Sequence, residues 1–203
     1  MEELTFMRQV YNRQLEQTSR GRKPSGDLPA SHLAVIEGKL LAKPQAALAA
    51  RCLLKAARIE IQHSYALGVL RHSQVQGIGV MSAYRPPSRQ FANWQENFPQ
   101  YYKSTRNHRR ALSGGEFGEA AVESMVFYIK KRLASPGFSM HNYGLAIDFK
   151  ARENGVLLTT STNKTNIAAW RDSWFYMWLS HNARKYRFHL NPHINEPWHW
   201  EYQ

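Results

Sequence analysis

A carboxylate embedded in an apolar segment places the strongest constraint on how this chain can fold. Asp148 stands between Ile147 and Phe149, in a segment over 145–149 that predicts a short β-strand. Burying a carboxylate among apolar side chains is costly unless the carboxylate is paired or binds a metal ion. The fold must therefore bring Asp148 beside cationic or metal-binding partners.

A histidine precedes this aspartate at a distance that allows the two side chains to meet. His141 lies seven residues before Asp148, and Gly144 lies between them. Glycine adopts backbone conformations that other residues resist, so the chain can turn at Gly144. Imidazole and carboxylate are both zinc ligands. The segment therefore predicts two ligands of one metal site.

A second segment, Glu-Pro-Trp-His-Trp at 196–200, has the same character. The tryptophans on both sides of His199 would exclude water and keep its imidazole neutral, which is the form that binds metals. Pro197 restricts the local backbone, so Glu196 and His199 could approach one point.

Together these segments supply the ligands of a catalytic zinc site. His141, Asp148 and His199 would give three protein ligands and leave the fourth position for water, which is the usual arrangement in zinc enzymes. Spacing alone does not decide the set, because His189 and His193 are competing ligands in the same part of the chain.

Two further residues complete a hydrolytic site. Glu196 could take a proton from the attacking water. The segment 77–85 alternates in the manner of a strand and ends before a Pro-Pro pair, so it would deliver Arg85 to the end of that strand. Arg85 could there stabilise an oxyanion.

The remaining patterns predict an α+β fold with a small antiparallel sheet that carries the zinc site and is packed with surrounding helices. Predicted helices cover 3–18, 44–68, 117–133 and a Trp-rich stretch at 167–184. Further strands are predicted at 156–160, 185–190 and 196–202, and a loop at 19–31. An irregular excursion with room for a short helix is predicted at 91–118. We expect an N-terminal helical extension over 1–43, which we interpret as packing rather than docking, and a peptidase domain over 44–203.

Composition excludes some alternatives. The single cysteine, Cys52, rules out an intramolecular disulfide, and its place in the apolar helical pattern around Leu53 predicts a core position. A net charge of +12 favours polyanionic partners, either nucleic acid or an acidic cell wall, but no nucleic-acid-binding motif is present. No apolar run predicts a membrane span, and the first residues lack the features of a signal peptide.

The pattern Ser-x-His-x-x-Gly-x-Ala-x-Asp at 139–148, followed by Glu-Pro-Trp-His-Trp at 196–200, resembles the D-alanyl-D-alanine metallopeptidases. That family includes vancomycin-resistance dipeptidases and D,D-carboxypeptidases, L,D-carboxypeptidases and phage endolysins, and is related to lysostaphin-type peptidases and the hedgehog domain. Ser-Ala-Tyr-Arg at 82–85 is similar to its Ser-Gly-Tyr-Arg strand end, although Ala83 replaces the glycine. Arg187 replaces another common glycine, so a different turn is expected there. The resemblance covers roughly residues 45–203.

The resemblance implies a role for each candidate site residue. These roles are zinc ligands for His141, Asp148 and His199, general base and acid for Glu196, transition-state stabiliser for Arg85, and substrate contacts for Ser139 and Gln90.

The activity implied by the resemblance is hydrolysis of D-alanine-containing peptide bonds in peptidoglycan stem peptides or cross-links, as a carboxypeptidase or an endopeptidase. A non-catalytic wall-binding module on the same zinc fold is the alternative, and Glu196 and Arg85 argue against it. We expect action in the periplasm or cell wall. Since no signal peptide was found, phage lysis with a holin, or injection as an antibacterial effector, is the expected route.

Overall fold

The computed structural model describes residues 2–21, 23–72 and 74–203; the predicted loop at 19–31 includes Arg22, which lies outside these ranges. The helices are α1 (Glu2–Ser19), α2 (Pro44–Ala66), α3 (Pro87–Ser104), α4 (Arg106–Arg110), α5 (Glu119–Lys130), α6 (Lys164–Arg171) and α7 (Trp174–Asn182). The strands are β1 (Ala34–Glu37), β2 (Leu40–Ala42), β3 (Val75–Ser82), β4 (Ala146–Glu153), β5 (Val156–Leu158), β6 (Phe188–Leu190) and β7 (His199–Tyr202).

One antiparallel sheet organises the strands from β3 onward. Its order is β3-β4-β7-β6, and β5 pairs with β4. In this register Asp148 of β4 lies opposite Ser82 of β3 on one side and His199 of β7 on the other. Strands β1 and β2 form a separate hairpin. The predicted α+β fold with a small antiparallel sheet is confirmed.

The chain forms two compact units, and each is built from two stretches of sequence. The first contains Met1–Asp27 and Arg85–Asn142, and the second contains Leu28–Tyr84 and Tyr143–Gln203. The predicted division after residue 43 stays a prediction.

Helices α1, α3 and α5 share the core of the first unit. Its buried side chains are Phe6, Val10, Trp94, Phe98, Ala121, Val122, Met125, Val126 and Ile129. Phe6 and Val10 of α1 thus pack in the same core as the buried face of α5, which repeats every three to four residues. The N-terminal helix therefore contributes to this core, and the choice between packing and docking for residues 1–43 stays a prediction.

Helix α2 supplies one side of the core of the second unit. Its buried positions include Ala46, Ala50, Leu53 and Ala57, which recur at helical spacing. Cys52 is exposed, so its predicted core position was wrong. A residue adjacent to Leu53 points about 100° away from it around a helix of 3.6 residues per turn.

None of the helices in the described part of the chain combines the length and the apolar character that crossing a membrane requires.

The stretch 91–118, predicted to be irregular, is mainly helical. Helix α3 begins at Pro87, a residue suited to the first helical position, and α4 follows it. The buried side chains of α3 include Gln90, Trp94 and Phe98, which are spaced by four residues. The sequence analysis underestimated the helical extent because polar Gln90 begins this stripe, and because Pro-Pro was interpreted only as the end of the preceding strand.

The Trp-rich helix predicted over 167–184 is two helices. Asp172 ends α6, and Ser173 caps α7 by accepting a hydrogen bond from the backbone N–H of Tyr176. Trp170 is fully buried while Met177 is 49% exposed, so the apolar residues of this stretch are only partly in the core. Continuous apolar spacing concealed the serine cap between the helices.

The turn before β6 contains the residue that replaces a common glycine. Arg187 has φ of +63°, in the left-handed region. Glycine occupies this region at the lowest cost, whereas other residues are strained there. Arg187 therefore adopts the backbone conformation that glycine favours, and replacing glycine with arginine does not require a different turn.

Candidate metal centre

The pairing of β4 with β7 brings Asp148 and His199 together. Their side chains are buried, and Asp148 Oδ1 lies 2.9 Å from Nδ1 of His199. The apolar residues around Asp148 stabilise the strand, and the cross-strand imidazole supplies the polar partner that a buried carboxylate requires. The partner expected from the sequence is thus provided by sheet pairing.

Carboxylates dominate the electrostatics around His199. Burial lowers the pKa of this imidazole, but hydrogen bonds to Asp148 and Glu201 and the nearby charge of Glu196 outweigh burial and raise the pKa to about 9. The prediction of a neutral imidazole concerns the metal-bound ring, so it stays a prediction. The same negative charges favour a bound cation.

The turn that carries His141 is held by Gly144. Gly144 has φ of +66°, and its carbonyl accepts a hydrogen bond from the backbone N–H of Lys43 at 2.9 Å. A Cβ at this position would lie 3.0 Å from the nitrogen of Lys43. The predicted turn at Gly144 is confirmed, and glycine is required there by both conformation and space.

Gly144→Ala is expected to lower the free energy of unfolding by about 1–2 kcal/mol, because a Cβ is strained in the left-handed region. Chemical denaturation of the metal-free protein measures this change. Gly155→Ala is a matched control, since Gly155 also has positive φ but has nothing within 4 Å of the added Cβ. If Gly155→Ala lowers the free energy of unfolding less than Gly144→Ala does, the difference reports the close contact between the added Cβ and Lys43. Equal losses of stability would show that this contact contributes nothing.

Asn142 anchors the loop next to His141. The side chain is fully buried, and its Oδ1 accepts hydrogen bonds from the backbone N–H groups of Gly137 and Ser139 at 3.0 and 3.2 Å. Its Nδ2 donates to the carbonyl of Arg85 at 2.8 Å. The backbone N–H of Arg85 also donates to the carbonyl of His141 at 3.1 Å. Asn142 thus links the backbones of Ser139 and Arg85, two candidate site residues. The sequence analysis did not single out Asn142, although its position directly after His141 could have indicated such a role.

The structure brings the three predicted ligands to one point. Ligand atoms of His141, Asp148 and His199 all lie within 4.8 Å of one another, and the residues are 4%, 5% and 6% exposed. Within the described ranges, the set that meets this distance includes neither His189 nor His193. Two imidazoles and a carboxylate at this spacing could hold a metal ion.

Arg85 is held by a buried amide. Its Nη1 donates to Oε1 of Gln90 at 2.8 Å, and Nε2 of Gln90 donates to the carbonyl of Ala134 at 2.9 Å. Gln90 is fully buried. Its side chain therefore orients the guanidinium of Arg85, and its predicted contact with substrate stays a prediction.

The two remaining candidates lie close to the ligands along the chain. Glu196 is half-buried, and its carbonyl accepts a hydrogen bond from the backbone N–H of His199 at 2.9 Å. The Ser139 hydroxyl, also half-buried, accepts one from the backbone N–H of His141 at 3.3 Å. The predicted base role of Glu196 and the substrate contact of Ser139 stay predictions.

The α+β fold thus carries, beside its small antiparallel sheet, a buried set of two histidines and one aspartate that could hold a metal ion. Residues 43–203 match the VanY family, D-alanyl-D-alanine carboxypeptidase. The chain belongs to this family.

Three solved structures are similar to this chain, and the first of them shows the same fold. An LdcB LD-carboxypeptidase is 23% identical, with a TM-score of 0.53 over 88% of this chain and 71% of that one. A VanY D,D-pentapeptidase in complex with Zn(II) is 21% identical, with a TM-score of 0.48 over 87% of this chain and 82% of that one. VanYB in complex with D-alanine-D-alanine is 21% identical, with a TM-score of 0.49 over 87% of this chain and 81% of that one. No curated protein sequence matches this chain significantly.

Proposed function

We propose that this protein is a zinc-dependent carboxypeptidase that removes a terminal D-alanine from peptidoglycan stem peptides. The observation that carries the proposal is the buried donor set of His141, Asp148 and His199 in a chain of the D-alanyl-D-alanine carboxypeptidase family. We place its action in the periplasm or the cell wall, where this substrate is found.

The donor set fits zinc. Catalytic zinc sites use three protein ligands drawn from histidine, carboxylate and thiolate, and keep one position open. The carboxylates around the buried imidazole raise the pKa of His199, and the same negative charges would stabilise a bound cation. A bound zinc ion would lower the pKa of water and polarise the scissile carbonyl.

Glu196 is the proposed general base and acid. Its carboxylate takes a proton from the attacking water, whose oxygen forms a bond to the carbonyl carbon. When the carbon–nitrogen bond breaks, Glu196 gives that proton to the leaving amine of D-alanine. One water is consumed, and the products are a shortened peptide and free D-alanine.

Arg85 is the proposed stabiliser of the oxygen that gains negative charge. A guanidinium held in place loses little entropy when it donates to this oxygen. The hydrogen bond from Arg85 to buried Gln90 supports such preorganisation. Ser139 and Gln90 remain proposed substrate contacts, and Gln90 also orients Arg85.

The proposal is tested with defined substrates. The zinc-loaded protein is incubated with stem pentapeptide, stem tetrapeptide and cross-linked dimer, and the products are identified by mass. Loss of one alanine from the pentapeptide is expected, and loss from the tetrapeptide would indicate L,D specificity. Conversion of dimer to monomer would instead indicate an endopeptidase.

Absence of any product from zinc-loaded protein would contradict the proposal. Sedimentation with insoluble peptidoglycan would then test the alternative of a non-catalytic wall-binding module. Binding without cleavage would favour that module, whereas cleavage would exclude it.

A further inference from the structure

A second carboxylate contacts His199 from the side opposite to Asp148. Glu201 lies two residues after His199 on β7, so both side chains point to the same face of the sheet. Oε1 of Glu201 lies 3.2 Å from Nε2 of His199, and the Glu201 side chain is only 15% exposed. Asn191 Nδ2 donates to the same oxygen at 2.9 Å, which restrains the carboxylate.

The contacts of the ring distinguish its two nitrogens. Nδ1 faces Asp148 at 2.9 Å, and Asp148 belongs to the donor set, whereas Glu201 does not. The Nδ1 side of the ring is therefore the side of the metal position. Nε2, with Glu201, points away from it.

We propose that Glu201 is a positioning residue of the metal centre, which accepts the Nε2–H of His199 and leaves the Nδ1 lone pair for the ion. This inference rests on the proposed zinc site. Histidine ligands commonly donate their second N–H to a carboxylate, which fixes the tautomer and ring orientation and raises the basicity of the ligating nitrogen. Asn191 holds Glu201 in place for this purpose.

Zinc affinity tests the inference without reference to catalysis. Competition with a chromogenic chelator is measured for the full chain and for Glu201→Ala, Glu201→Gln, Glu60→Ala and Glu60→Gln. Glu201→Ala is expected to weaken zinc binding by about 10–100-fold. Glu201→Gln should lose less, because its amide oxygen still accepts from Nε2. Glu60 is exposed on α2, so its variants should bind zinc like the parent.

A spectroscopic readout separates positioning from a general loss of structure. Two-bond ¹H–¹⁵N spectra of the zinc-loaded parent should show His199 protonated on Nε2 and metal-bound through Nδ1. The opposite tautomer, or zinc affinity of Glu201→Ala within twofold of the parent, would overturn the inference while leaving the zinc site intact. A parent that binds no zinc would overturn the proposed function itself.

Discussion

Glu196→Gln is expected to lower kcat/KM for release of D-alanine by about 10²–10⁴-fold, the usual contribution of a positioned general acid–base. Glutamine has the same size and hydrogen-bonding reach as glutamate but cannot take a proton from water. Mass analysis of the stem-peptide products under initial-rate conditions measures the loss. Zinc content should remain at one equivalent, because Glu196 is not part of the donor set.

A matched control removes a carboxylate from the surface. Glu60→Gln changes an exposed residue of α2 and should retain the activity of the parent. If Glu196→Gln, with one equivalent of zinc, retained activity within tenfold of the parent, Glu196 would not be the base. Another group would then have to accept the proton of the attacking water.

The donor set could be predicted from the sequence, but its surroundings could not. Residue types and the turn at Gly144 indicated His141 and Asp148, and the second motif added His199. The short distance between these residues depends on the pairing of β4 with β7, which no local pattern determines. The resemblance of the two motifs to one family supplied that link.

The surroundings of His199 show what local sequence patterns leave out. Without a metal ion, hydrogen bonds to Asp148 across the sheet and to Glu201 on the same strand raise the pKa of His199 to about 9 although burial lowers it. Glu201 was missed although its spacing from His199 places both on one face of a strand. Two carboxylates, one across the sheet and one on the same strand, therefore outweigh burial in setting the pKa of His199.

Two elements with clear apolar periodicity were predicted, whereas the hairpin of β1 and β2 and the extent of helix α3 were not. Helix α5 and strand β3 follow clear apolar spacing. The hairpin of β1 and β2 has strands of four and three residues, too short to show a period. The extent of helix α3 was missed because its buried stripe begins with a polar residue that serves the site, Gln90.

Glu153→Ala is expected to lower the free energy of unfolding by about 2–5 kcal/mol, because it leaves one buried and one partly buried N–H group without their acceptor. Glu153 ends β4 and is 6% exposed. Its carboxylate accepts from the backbone N–H groups of Trp174 and Phe175 at 2.8 and 2.9 Å, at the N-terminus of α7. Chemical denaturation of the metal-free protein measures the loss. Glu60→Ala, at an exposed position, should stay within about 0.5 kcal/mol of the parent.

Glu153 also makes the free energy of unfolding depend on pH, and this contribution decreases as the pH rises. Burial raises the pKa of Glu153, and the two backbone N–H groups offset burial only in part. Between the ordinary and the raised pKa, the folded protein keeps a proton that the unfolded chain has released. This contribution to stability is therefore complete below the unfolded pKa and is lost as the pH rises through the folded pKa.

Glu153→Gln isolates this titration, because glutamine keeps an acceptor oxygen but has no proton to release. The parent should lose stability relative to Glu153→Gln as the pH rises from about 4, near the ordinary pKa of glutamate, toward neutrality. Other groups titrate alike in both proteins, so the difference between their free energies of unfolding reports Glu153 alone. A difference that stays constant over this range would show that the backbone N–H groups of α7 fully compensate for burial of the charge.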